Sequence, residues 1–200
     1  MINARKTLTA AVALATALTL GGCAGGMTGM NMGGDNTRDG SSPGANDGAV
    51  FENADVMFAQ MMIPHHEQAV EMSDVLLAKG GVDARIRDLA NQIKNAQQPE
   101  IDQLKQWLSD WGQDESAMPG MNHGGSTMSD DDMTALDDAT EAEAGRLFLE
   151  QMIVHHHGAV AMAQDEVDNG ANADAKAMAE NIIATQTDEI ALMQELLASV

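Results

Sequence analysis

The chain is 200 residues long and carries 31 acidic against 10 basic residues, a formal charge of −21 that repels nucleic acid and anionic lipid head groups and excludes both as electrostatic partners. Its single cysteine rules out an internal disulfide and a thiolate metal site, so any soft metal ligand must be methionine, of which there are 16. With no tyrosine, 3 phenylalanines and 2 tryptophans beside them, the methionines make an adaptable core filler, and their thioethers are also soft ligands suited to Cu(I).

Residues 1–22 read as a targeting segment. Arg5 and Lys6 precede the apolar run Leu8 to Leu20, which is too short to span a bilayer and fits the hydrophobic region of a signal peptide. Leu20-Gly21-Gly22-Cys23 resembles the lipobox of bacterial lipoproteins, in which the cysteine takes a diacylglycerol on its sulfur and becomes the new N-terminus. The resemblance implies lipidation at Cys23 and attachment to the outer-facing surface of a bacterial cell membrane. Cleavage there removes Arg5 and Lys6 and no acidic residue, taking the formal charge from −21 to −23. Residues 23–49 are Gly, Ser, Asn, Asp and Met with little to bury, and read as a flexible tether.

Within residues 50–200 two segments have helical periodicity and no strand signal, and they are copies of each other, 50–112 and 141–200, joined by an expected flexible linker, 113–140. Met57-Phe58-Ala59-Gln60-Met61-Met62-Ile63-Pro64-His65-His66 aligns with Leu147-Phe148-Leu149-Glu150-Gln151-Met152-Ile153-Val154-His155-His156, and Ala69-Val70-Glu71-Met72 with Ala159-Val160-Ala161-Met162. After the loss of one residue, Ile93, Gln97, Glu100-Ile101, Leu104 and Leu108 match Ile182, Gln186, Glu189-Ile190, Met193 and Leu197. Each copy predicts two helices about a glycine turn, at Gly80-Gly81 and at Gly170. Two such hairpins predict an all-α, four-helix bundle. Phe58, Met62, His65, Ala69, Met72 and Leu76 follow the spacing of one buried stripe, repeated by Phe148, Met152, His155, Ala159 and Met162. Pro64 and Pro99 fall inside the periodic segments and predict kinks, not breaks.

The chemistry concentrates on that stripe. Positions i, i+3 and i+4 of a helix adjoin one another, so Met62 and His65 can present a thioether and an imidazole together, with His66 adjacent and Met72 further along; Met152, His155, His156 and Met162 repeat the set. Imidazole suits copper, zinc and iron, whereas thioether narrows the choice to Cu(I) or a similar soft ion, so the cofactor expected is copper, Cu(I) favoured and Cu(II) accommodated. If the copies pack about a pseudo-twofold axis, His65 and His155 meet across the core near Gln97 and Gln186. Buried glutamines that satisfy buried histidines would explain the same pattern without metal. Met178 and Met193 read as core. Met27, Met30 and Met32 in the tether, and Met118, Met121 and His123 in the linker, have no core to fill and form a second, flexible set of ligand candidates.

The pattern Phe-x-x-x-Met-Ile-x-His-His-x-x-Ala-Val-x-Met, followed by Ile-x-x-x-Gln-x-x-Glu-Ile and by Trp107-Leu108-x-x-Trp111-Gly112, resembles the family known as domain of unknown function 305 over about residues 50–200. The resemblance implies a ferritin-like four-helix fold and, as in some members, an exported copper-binding protein linked to copper tolerance. It implies His65, His66, Met72, His155, His156 and Met162 as ligands, with Met62 and Met152 beside them.

Three functions compete at this stage. The first is copper buffering, sequestration or hand-over to a metal-transfer partner, without catalysis. The second is a di-iron enzyme, which draws on Glu-x-x-His motifs; no glutamate stands three residues before a histidine here. The third is an envelope interaction or structural module whose histidines are simply packed. Nothing in the pattern sets the oligomeric state.

Overall fold

The computed structural model describes residues 50–116 and 127–200. The expected signal peptide, Cys23, the tether with Met27, Met30 and Met32, and the linker candidates Met118, Met121 and His123 therefore lie outside the described residues. Five helices follow in chain order, α1 (Asn53–Ala78), α2 (Ala84–Asp110), α3 (Asp130–Asp138), α4 (Glu141–Asn169) and α5 (Ala173–Leu197), with no strand among the described residues. The all-helical bundle expected from periodicity is what the chain adopts. None of these helices is long and apolar enough to cross a membrane.

Local chemistry sets the helix ends. Asp83 begins α2 by accepting a hydrogen bond from the Arg85 backbone N–H, and Asn172 begins α5 by accepting from the N–H groups of Asp174 and Ala175. Gly81, between α1 and α2, has φ +68°, a left-handed conformation that a Cβ disfavours. Pro64 and Pro99 lie on exposed faces, and α1 and α2 continue through them.

The linker expected to be flexible over 113–140 contains α3. Ser129 and Asp132 cap it reciprocally, and three aspartates in its first turn complement the helix dipole. Its one buried side chain, Leu136, enters the core. Lys79 donates to the Asp137 and Ala139 carbonyls at 2.6 and 3.0 Å, and Gln151 donates to the Asp132 carbonyl at 2.8 Å. Met128 is held as well, its N–H donating to Gln68 Oε1 and its carbonyl accepting from Gln68 Nε2. A short helix with one apolar anchor leaves no readable period, which is why composition alone suggested a free linker.

Helix α1 packs chiefly on α2 and α4 on α5, while α1 against α4 joins the hairpins. The apolar core forms two clusters. One holds Met72, Leu76, Ile86, Phe148, Met152 and Met193, the other Phe58, Met62, Leu104, Leu108, Ala159 and Ile182. The C-terminal half of α1 thus shares a cluster with the N-terminal half of α4, and the reverse, so the two helices run antiparallel. At the middle of all four long helices the apolar sequence is interrupted, and the residues there form a polar layer between the clusters.

The ends of the bundle differ. Asp55, fully buried, accepts from the N–H groups of Ala171 and Asn172 at 3.1 and 2.8 Å, tying the start of α1 to the turn between α4 and α5. The position related to Asp55 in the second copy is Gly145, where an added Cβ would stand 3.0 Å from Ile86 Cδ1. Buried Glu166 likewise occupies the position related to Leu76.

Candidate metal centre

The polar layer contains His65 and His66 from α1, Gln97 from α2, His155 and His156 from α4, and Gln186 from α5. The four histidines are 0% exposed. Helical spacing accounts for their placement, since each first histidine lies on the stripe that faces the other hairpin and the second is turned toward the helix of its own hairpin. The rings of His65 and His155 meet, with centroids 3.6 Å apart and planes inclined at 37°. Within each copy the adjacent rings are 6.3 Å apart.

Those distances decide what the central pair can hold. With a metal–nitrogen bond of about 2 Å, two imidazoles on one ion have centroids on the order of 5–6.5 Å apart. At 3.6 Å the faces of His65 and His155 are in contact, so an ion shared by these two rings requires them to separate. The sequence led us to expect convergence of this pair, and the structure brings the rings together but fills the space between them.

The second histidine of each copy faces a carboxylate. His66 Nε2 lies 2.9 Å from Glu100 Oε2 on α2, and His156 Nε2 lies 2.7 Å from Glu189 Oε2 on α5. The Nδ1 atoms of His66 and His156 and both amide atoms of Gln97 are buried without a hydrogen-bond partner among the described residues. Gln97 therefore does not satisfy a histidine, the role that the metal-free explanation gave to it and to Gln186; of Gln186, Oε1 is buried without a partner among the described residues. Burial first, and then the neighbouring imidazoles His65, His156 and His66, hold the His155 pKa well below the usual value of 6.5. That ring stays neutral, the form in which imidazole binds a metal.

The methionines are divided. Met72 and Met152 belong to one apolar cluster and Met62 to the other, all three fully buried, and Met162 packs partly buried against the second. Each cluster therefore takes methionines from both copies. Met193 is core as expected and Met178 packs partly buried against the second cluster. His157, which has Glu67 at the related position, is exposed. Among the described residues, no three His, Cys, Asp or Glu side chains form a group that could hold a metal ion, so a site here must draw on the thioethers or on movement of the rings.

Sequence reasoning missed the roles of Glu100 and Glu189. The signal was present, because Gln-x-x-Glu-Ile recurs in both copies, but only the glutamine was read as facing inward. A groove of about 720 Å³ lies elsewhere, between the α1–α2 turn and the start of α4, lined by Val82, Ile86, Ala139, Glu143 and Arg146 among others and by none of the histidines.

The family model described as "Domain of unknown function (DUF305)" matches residues 55–197. A DUF305 fragment from Deinococcus radiodurans is 30% identical, with a TM-score of 0.69, and the match covers 75% of this chain and 99% of that one. A DUF305 protein from Streptomyces coelicolor is 32% identical, with a TM-score of 0.68, over 73% of this chain and 91% of that one. CopM in its Cu(I)-bound form is 29% identical, with a TM-score of 0.63, and in its Cu(II)-bound form 32% identical, with a TM-score of 0.64; each match covers 72% of this chain and 96% of CopM. None of the curated proteins matches this chain in sequence.

Proposed function

The chain belongs to the DUF305 family, and from that premise and its buried histidine layer we propose that it binds copper outside the cytoplasm, as a buffer or sequestering protein without turnover. The observation that carries the reading is a fully buried layer of four imidazoles in which Nδ1 of His66 and of His156 has no hydrogen-bond partner among the described residues, between two apolar clusters that each take methionines from both copies. Burying such nitrogens unpaired costs stability, and a metal ion repays that cost where Gln97 does not. The similarity to CopM, a protein known in Cu(I)-, Cu(II)- and silver-bound forms, supports the same chemistry.

His65, His66, His155 and His156 supply the imidazoles and Met62, Met72, Met152 and Met162 the thioethers, a donor set that favours Cu(I) and accommodates Cu(II). Binding by the central pair parts the rings of His65 and His155. Export by the signal peptide and a lipid on Cys23 would hold the domain at the outer-facing membrane surface, with Met27, Met30, Met32, Met118, Met121 and His123 as a weaker, secondary set of ligands. The domain would then pass metal to a transfer partner or retain it for tolerance. Catalysis of the di-iron type lacks its Glu-x-x-His motif in this sequence.

Elemental analysis after copper loading and desalting tests the reading. The wild-type chain is expected to retain copper, and His65→Ala with His155→Ala to lose most of the domain's affinity, while Met27, Met30 and Met32 substitutions remove only a weak component. Copper retention near zero in the wild type would favour the packed-histidine module, to which the face contact of His65 and His155 lends support.

A further inference from the structure

We infer that Glu100 and Glu189 are positioning residues of the histidine layer: each holds its facing histidine, His66 or His156, in the tautomer protonated at Nε2, leaving Nδ1 as the atom that takes the metal. The ligand clause rests on the copper reading above. The tautomer does not.

A carboxylate oxygen accepts a hydrogen bond, so the nitrogen facing it carries the proton. His66 Nε2 and His156 Nε2 stand 2.9 and 2.7 Å from Glu100 and Glu189. Nδ1 of each ring is buried and has no partner among the described residues. A neutral imidazole protonated at Nε2 presents Nδ1 as a bare lone pair. The device occurs twice, in each case from the second helix of a hairpin to the first, and its recurrence follows the repeat and not a local accident of packing. A carboxylate on the far nitrogen also fixes ring orientation and raises the basicity of the ligating nitrogen. The donor atoms held ready are thus the Nδ1 atoms of His66 and His156, while the central pair meets ring to ring.

Long-range 1H–15N imidazole spectra of the 15N-labelled full chain, recorded without metal, read the tautomers directly. We expect protonated Nε2 and unprotonated Nδ1 at both His66 and His156. Glu100→Gln and Glu189→Gln put an amide that donates as well as accepts opposite Nε2. Each should mix the tautomers at its own facing histidine only and weaken Cu(I) binding by about 10- to 100-fold, with helix content unchanged. A protonated Nδ1 in the metal-free wild type, or tautomers unchanged in both variants, would overturn the positioning role. Cu(I) added to the wild type should move the Nδ1 signals of those two rings. Bound Cu(I) that leaves them unmoved sinks the ligand assignment and spares the copper reading. Failure to bind any Cu(I) sinks the copper reading and its ligand clause together, and the metal-free spectrum still decides the tautomer.

Discussion

Glu166 is 1% exposed, and its carboxyl faces that of Asp55. Burial, and then the neighbouring Asp55 carboxyl, push its pKa up to about 8. The folded chain therefore keeps a proton that the unfolded chain releases near the ordinary value of 4.5. Stability linked to this group is fully present below that ordinary value, declines as pH rises, and is lost once pH passes about 8. Replacing the carboxyl by a neutral amide should remove the decline, so Glu166→Gln is expected to be more stable than wild type by on the order of 2–4 kcal/mol at pH 9 and nearly equal to it at pH 5. Urea midpoints of both proteins at the two pH values check this, and equal differences at both would assign the titration elsewhere. Asp55 acts in the opposite sense. Burial raises its pKa, but hydrogen bonds from the Glu52, Asn172 and Ala171 backbone and from Glu166 outweigh burial and hold it below 3.8, so its contribution is present above that value and lost toward more acid pH. Neither carboxyl stood out in the sequence, because a lone Asp and a lone Glu at unrelated repeat positions look like surface charge until the turn they reach is known.

Among the elements, α3 is the one with a single fully buried side chain. Leu136 is buried in the cluster that holds Leu76, Phe148 and Met152, Met133 packs partly buried against it, and the rest of the helix is largely polar and exposed. Truncating such a leucine costs about 2–5 kcal/mol, against roughly 0.5–1.5 kcal/mol for each of the Lys79 and Gln151 hydrogen bonds. Leu136→Ala is therefore expected to free α3, with amide exchange over 130–138 approaching the unprotected rate while copper retention by the histidine layer stays at the wild-type level. Protection of α3 in the variant would show that its polar ties suffice. The four long helices were legible because each carries at least four periodic apolar positions, enough for the phase to be read without knowing the partner.

At the scale of the whole molecule, each apolar cluster takes side chains from both copies: Met72 and Leu76 lie with Phe148 and Met152, Phe58 and Met62 with Ala159 and Ile182. Neither hairpin can bury its stripe alone, and a segment of that size seldom supports an independent core. Residues 50–116 expressed alone are expected to have little helix by far-UV circular dichroism, and to regain it when mixed with residues 127–200. A cooperative thermal transition in the isolated segment would contradict the shared core. The same interlocking ties the metal centre to assembly, since the histidine layer exists only where α1 and α4 cross.

The sequence by itself determined the four long helices, their turns at Gly80-Gly81 and Gly170, the duplication, and the buried stripe on which His65 and His155 stand, because each of these depends on period and local backbone chemistry. Tertiary structure decided which atoms meet. The contact of His65 with His155, the carboxylates opposite His66 and His156, and the division of the methionines between two clusters depend on the antiparallel crossing of α1 and α4 and on which face of α2 and α5 turns inward. A one-dimensional pattern specifies the faces of a helix but not the partner each face will bury against, and the chemistry of this site belongs to the pairing.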